Sequence, residues 1–147
     1  MNVDAAANFK DKILGIGAVV RNHKGEVITV FSRSVQGCFR SDEMEAKVLF
    51  HSLNWAAQHH LSIAIVETDA LRISSALNTF HRDLSCFNDL IDDVRCLLPS
   101  FSEVTVTHAR RQVNKTAHGL AKCALKADEN VSWIGENSLS YFFYYCK

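Results

Sequence analysis

The chain has 147 residues, of which 48% are hydrophobic and 22% charged, a length and balance that suit one compact domain able to bury its own core. Sixteen basic residues offset sixteen acidic ones, so no overall basic field points to a polyanionic partner. No run reaches the roughly 18 apolar residues of a membrane span, and the N-terminus has no charged region followed by an apolar one, so neither membrane insertion nor secretion is expected. The five cysteines are odd in number and never in a C-x-x-C pair. That pattern argues against a disulfide framework or a zinc site and for small buried hydrophobes in a reducing, intracellular compartment, nuclear or cytoplasmic.

In chain order, "MNVDAAA", "ILGIGAVVR" and "EVITVFSRS" are β-rich. The last two flank "NHKG", a polar turn ending in glycine, so residues 1–34 read as an antiparallel meander. Gly15 and Gly17 lack the strand-to-helix setting of a nucleotide loop and read as points of close backbone packing. Ser41 is placed to cap a first helix, in which Met44, Val48, Leu49, Leu53 and Ala56 make one apolar stripe. "LSIAIVETD" reads as a strand buried on both faces and closed by Asp69. A short helix follows near residues 70–78. In "CFNDLIDDVRCLLPSF" Phe87, Leu90, Ile91, Val94, Leu97 and Leu98 keep helical spacing until Pro99 stops it. "EVTVTHA" alternates as a strand, and Ala117, Leu120, Ala121, Ala124 and Leu125 stripe a closing helix. The predicted order is βββαβααβα, an α/β fold with no internal repeat or linker.

Three acids stand beside core residues. Asp4 lies inside the apolar first strand, Glu45 beside the stripe of the first helix, and Asp69 at a strand end, where α/β sheets commonly present ligand-binding groups. Carboxylates near a core are costly unless paired or bound to a metal. Hard divalent cations suit such a set, and a pair of them can activate water and stabilise the leaving oxygen in phosphodiester cleavage. Plainer readings stay open: Asp69 as a helix N-cap, and Glu45 as a first-turn acid favoured by the helix dipole.

With "NVDAA", "GIGAVVRNHKGEV", "MEAKVLFHSLNWA", "VETDA" and "RRQVNKTAHGLAKCAL" in order, residues 2 to 134 resemble the plant reverse-transcriptase-like RNase H domain, a branch of the type 1 ribonuclease H fold. The resemblance implies a five-stranded mixed sheet flanked by helices over residues 1–134 and an RNA/DNA hybrid as substrate. It also implies Mg²⁺, or Mn²⁺, held by Asp4, Glu45 and Asp69. The family's fourth acid falls on His118, an imidazole that suits Mg²⁺ less well than Mn²⁺. The plain reading of His118 is a helix-surface residue beside the apolar stripe; against it stands Asn114, one turn earlier on the same face. Ser41 and Asp42 stand where hybrid-binding members often carry two asparagines. His108 is poorly placed to replace the family's histidine-bearing loop.

Between Val104 and Ala127 stand Arg110, Arg111, Lys115, Lys122 and Lys126 with no acid, a segment suited to phosphate contacts. The expected nucleic-acid contacts are therefore Ser41, Arg110, Arg111, Asn114 and Lys115. Two functions compete: a two-metal endonuclease cutting the RNA strand of hybrids, and a catalytically weak or inactive nucleic-acid-binding module. A protein-binding scaffold ranks third. Met1 stands only three residues before Asp4, as though the chain were cut from a longer protein. Residues 135–147 form an aromatic tail of unassigned role, through which an otherwise monomeric domain would self-associate.

Overall fold

The computed structural model describes residues 1–79, 85–127, 131–134 and 140. Its first three strands are β1 (Asn2–Asn8), β2 (Ile13–Arg21) and β3 (Val27–Gln36), the predicted meander. The turn between β2 and β3 is closed by Asn22, whose side-chain oxygen accepts from the Lys24 and Glu26 amides, while Gly25 takes φ +83°, open to glycine without strain. Helix α1 (Ser41–Gln58) follows, then β4 (Ile65–Thr68), α2 (Leu71–Asn78), α3 (Cys86–Leu97), β5 (Thr105–His108), α4 (Lys115–Ala124) and β6 (Val131–Ile134). Among the described residues no helix is long and apolar enough to cross a membrane.

The strands form one mixed sheet in the order β5-β4-β1-β2-β3-β6. β1 runs antiparallel to β2, with Asp4 opposite Gly17, and parallel to β4, where Asn2 is the partner of Glu67. Among the described residues six strands stand where five were expected. β6 pairs antiparallel with β3 from Thr29–Ile134 to Ser32–Val131, and four residues of weak alternation after a charged stretch of sequence give little period to read. β4 is also shorter than "LSIAIVETD" suggests, and Ile65 is 52% exposed, so that strand is not buried along its length. The aromatic tail, apart from Ser140, lies outside the described residues.

The main core gathers Val3, Leu14, Ile16, Phe31, Leu49, Leu53, Ile73, Ile91 and Val94 between the sheet and α1 to α3. A smaller cluster of Val19, Val30, Ala117 and Leu120 lies under α4. Gly15 and Gly17 explain how close α4 comes. A Cβ at Gly15 would collide with the Ala121 carbonyl and one at Gly17 with the Ala117 carbonyl. Bare backbone is thus the surface on which α4 rests, and Ser32 Oγ adds a hydrogen bond to the Leu120 carbonyl at 2.9 Å.

The cysteines depart from expectation. Cys38, Cys86 and Cys96 are free and exposed, and Cys123 is disulfide-bonded. A lone cysteine at an amphipathic margin has no periodic signal separating the buried from the exposed face.

Candidate metal centre and nucleic-acid surface

Asp4 is carried by β1 at the middle of the sheet, Glu45 by α1, and Asp69 by the residue following β4. β1 and β4 run parallel, so Asp69 emerges at a carboxyl end, and the three side chains place one carboxylate oxygen each within 4.8 Å of one another. Asp4 is 4% exposed; Glu45 and Asp69 are half-buried. Neither plain reading survives. Ala70, not Asp69, occupies the N-cap of α2, and the Ala70 amide donates to Thr68 Oγ1 at 3.1 Å. The first-turn acids of α1 are Asp42 and Glu43, leaving Glu45 beyond the reach of the helix terminus.

Burial, then the charges of Asp4 and Asp69, raise the Glu45 carboxyl to about 7. Burial and the Asp69 charge also raise Asp4, against the Ala5 amide, His118 and Arg111, which favour its ionised form. Asp4 Oδ1 accepts from the Ala5 amide at 2.7 Å, whereas Oδ2 is buried without a hydrogen-bond partner. The cluster therefore carries more negative charge than its protein neighbours neutralise. Its nearest guanidinium is that of Arg111, with Nε 3.6 Å from Asp69 Oδ2, on a side chain 83% exposed and weakly held by solvent-screened attraction.

His118 faces this cluster. Its Nδ1 lies 3.3 Å from Asp4 Oδ2, an ion pair when the imidazole is protonated, but the atoms lack the alignment of a hydrogen bond. Asn114 sets that approach: it is fully buried, and its side-chain amide donates to the Val3 carbonyl at 2.6 Å, tying the start of α4 to the strand that holds Asp4. Asn114, expected as a nucleic-acid contact, has its side chain inside the fold, with the amide nitrogen on the Val3 carbonyl and Oδ1 buried without a hydrogen-bond partner. Sequence position did place it one turn from His118, and the His118 amide bonds the Asn114 carbonyl at 3.0 Å.

Arg110, Arg111 and Lys115 are exposed between β5 and the first turn of α4, and Arg111 is the one that reaches the acids. Ser41 is exposed too, but as the first residue of α1; Arg40 is the N-cap, and its amide donates to Glu43 Oε2 at 3.0 Å. His108 is exposed at the end of β5. A link the sequence did not signal joins α1 to α2: Asp42 Oδ2 lies 2.6 Å from Arg72 and 3.3 Å from Arg40. Thirty positions separate Asp42 from Arg72, and only the packing of the two helices brings them together.

A family model described as reverse transcriptase-like matches residues 2–124. No curated protein matches the chain. Among solved structures, RNase H1 from the halophilic archaeon Halobacterium salinarum is similar, with a TM-score of 0.75 and 21% identity over 85% of this chain and 95% of that one. The N-terminal RNase H domain of a Mycobacterium tuberculosis protein, solved as a fusion with maltose binding protein, gives 0.71 and 18%, over 84% and 90% of the two chains. LC11-RNase H1, solved in complex with an RNA/DNA hybrid, gives 0.68 and 17%, over 81% and 90%. At these identities the likeness establishes the ribonuclease H fold, here with the added β6.

Proposed function

The chain belongs to the reverse transcriptase-like family, and from that premise we propose that it hydrolyses the RNA strand of RNA/DNA hybrids with divalent cations held by Asp4, Glu45 and Asp69. One observation carries the reading: three carboxylates from three separate elements converge within 4.8 Å, and burial makes their mutual repulsion expensive. The donor set fits a hard cation. It is all oxygen, and the orphaned, buried Asp4 Oδ2 is a ligand atom lacking a protein partner. Mg²⁺ or Mn²⁺ bound there would supply Lewis-acid stabilisation of charge developing on a phosphodiester.

The remaining roles belong to the chain itself. Arg110, Arg111 and Lys115 offer exposed cations on the segment that brings Arg111 to the cluster, suited to backbone phosphates and blind to base sequence. Asn114 holds α4, and so His118, against β1. A similar protein solved with hybrid supports the ligand class. His118 favours a second reading, a module that binds hybrid and cleaves it weakly, since an imidazole beside Asp4 adds no negative charge for a hard cation.

Cleavage of a labelled hybrid in Mg²⁺ and in Mn²⁺, by the parent and by Asp4→Asn, Glu45→Gln and Asp69→Asn, separates these readings. Metal-dependent cleavage lost in all three variants supports the enzyme. Hybrid binding without cleavage in either metal supports the binding module. Cleavage equal in parent and variants would remove the acid cluster from the chemistry.

A further inference from the structure

A second charged feature lies on α1 away from the acids. Lys47, His51 and Trp55 follow one another at four-residue spacing and make one stripe along the helix. On β3, Phe31 and Arg33 are two residues apart and share a face of the sheet. The Trp55 indole stacks on Phe31, with ring centroids 4.9 Å apart and planes 14° from parallel, which seats the stripe against that strand. Arg33 is thereby brought beside the other two cationic positions. Burial, then Arg33 and then Lys47, push the His51 imidazole down to about 4.

Among the described residues, Arg40, Arg72, Arg95 and Arg111 each meet a carboxylate, whereas neither Arg33 nor Lys47 does. The Lys47 ammonium lies 4.7 Å over the Phe39 ring, a contact that leaves its N–H groups unspent. Arg33 Nε and the indole N–H of Trp55, a residue 5% exposed, are buried donors without an acceptor. Buried donors are rarely left so, and these two belong to residues that form the seam.

We propose that the seam between α1 and β3 is an oxyanion site that takes a phosphate group, held by the Arg33 guanidinium and the Lys47 ammonium with the His51 imidazole as a further donor. A guanidinium fork matches phosphate oxygens, and the aromatic walls of Phe31, Phe39 and Trp55 lower the local dielectric that such a contact feels. Lys47, two positions after Glu45, projects about 200° round the helix from it, and His51 stands about 9 Å further along the axis than Glu45, so the site is distinct from the acid cluster. A strand rising roughly 3.4 Å per nucleotide covers that interval in about three steps. Backbone phosphate and free phosphate share the chemistry. The inference stands apart from hydrolysis, because it needs no metal and no acid.

The test is NMR of the full chain in EDTA, following the His51 imidazole and the Trp55 indole N–H during titration with inorganic phosphate and, separately, with a short DNA oligonucleotide. Saturable shifts of both signals, with the His51 titration midpoint moving upward from about 4, are expected with phosphate. Lys47→Gln, a surface change that spares the core, and Arg33→Gln should each weaken the response about tenfold, the loss of one charge-assisted hydrogen bond. A response to the oligonucleotide as well assigns the site to a nucleic-acid backbone; a response to inorganic phosphate alone assigns it to a free phosphate or phosphomonoester. No shift with either ligand, or shifts undiminished in Lys47→Gln, overturns the proposal. Because EDTA removes the divalent cations, failure here leaves the cleavage reading untouched, and failure of cleavage leaves this one untouched.

Discussion

His118 Nδ1 stands 3.3 Å from Asp4 Oδ2, and no hydrogen bond joins them. A neutral ring at that distance leaves the carboxylate free to take a cation; a protonated ring competes with the cation for it. His118→Asp replaces that competition with a further oxygen donor. We expect Mg²⁺ to bind roughly tenfold more tightly in calorimetry, a gain of about 1.4 kcal/mol, and Mg²⁺-supported cleavage to rise. The gain with Mn²⁺, which accepts imidazole more readily, should be smaller. Equal affinity, cleavage and metal preference in the two proteins would place His118 outside the centre.

Glu45 ties stability to pH. Its carboxyl is raised from 4.5 to about 7 in the folded protein, so between those values the folded state holds a proton that the unfolded chain has released. The associated stability is complete below about 4.5 and is lost as pH rises through about 7; Asp4 is shifted the same way. Denaturation in EDTA should show the parent losing about 2–3 kcal/mol more than Glu45→Gln between pH 5 and pH 8. Mg²⁺ at pH 8 should restore much of the loss. Parallel pH profiles for the two proteins would show that the fold does not raise the Glu45 carboxyl.

The exposed basic segment sets the salt response. Alanine at Arg110, Arg111 and Lys115 together should weaken hybrid binding and flatten its salt dependence by about two to three phosphate contacts, with little effect of base sequence. Titrations at several salt concentrations measure this directly, and an unchanged slope puts the binding face elsewhere.

Gly17→Ala tests the seat of α4. The added methyl has backbone, not a flexible side chain, in its path, so α4 must shift. A loss of about 1–3 kcal/mol is expected, together with weaker metal binding because His118 and Asn114 move with the helix. Thermal denaturation and Mg²⁺ calorimetry on one preparation measure both. Wild-type stability would mean that the helix yields freely.

Much of this was legible from period and chemistry. The α3 stripe of Phe87, Ile91 and Val94 is buried, the glycines of β2 are sites of close approach, and the three acids meet. What escaped depends on tertiary neighbours. Asn114 looks like any polar residue before a helix until the Val3 carbonyl, 111 positions away, is seen to hold it. Arg33, Lys47 and His51 are scattered in the chain, and only the stacking of Trp55 on Phe31 assembles them. Ser41 and Arg40 differ by one position as cap candidates, a distinction that rests on backbone angles rather than residue type.

The glycines of β2 also separate two things that evolution can change. They form the bearing on which α4 sits, while His118, the residue after Ala117, is cargo that the same helix carries to Asp4. A substitution at His118 alters the charge delivered to Asp4 without disturbing the bearing, and a substitution at Gly17 displaces the cargo without altering its charge. The electrical character of the centre and the placement of His118 are therefore independent dials, so that one can be turned while the other stays locked.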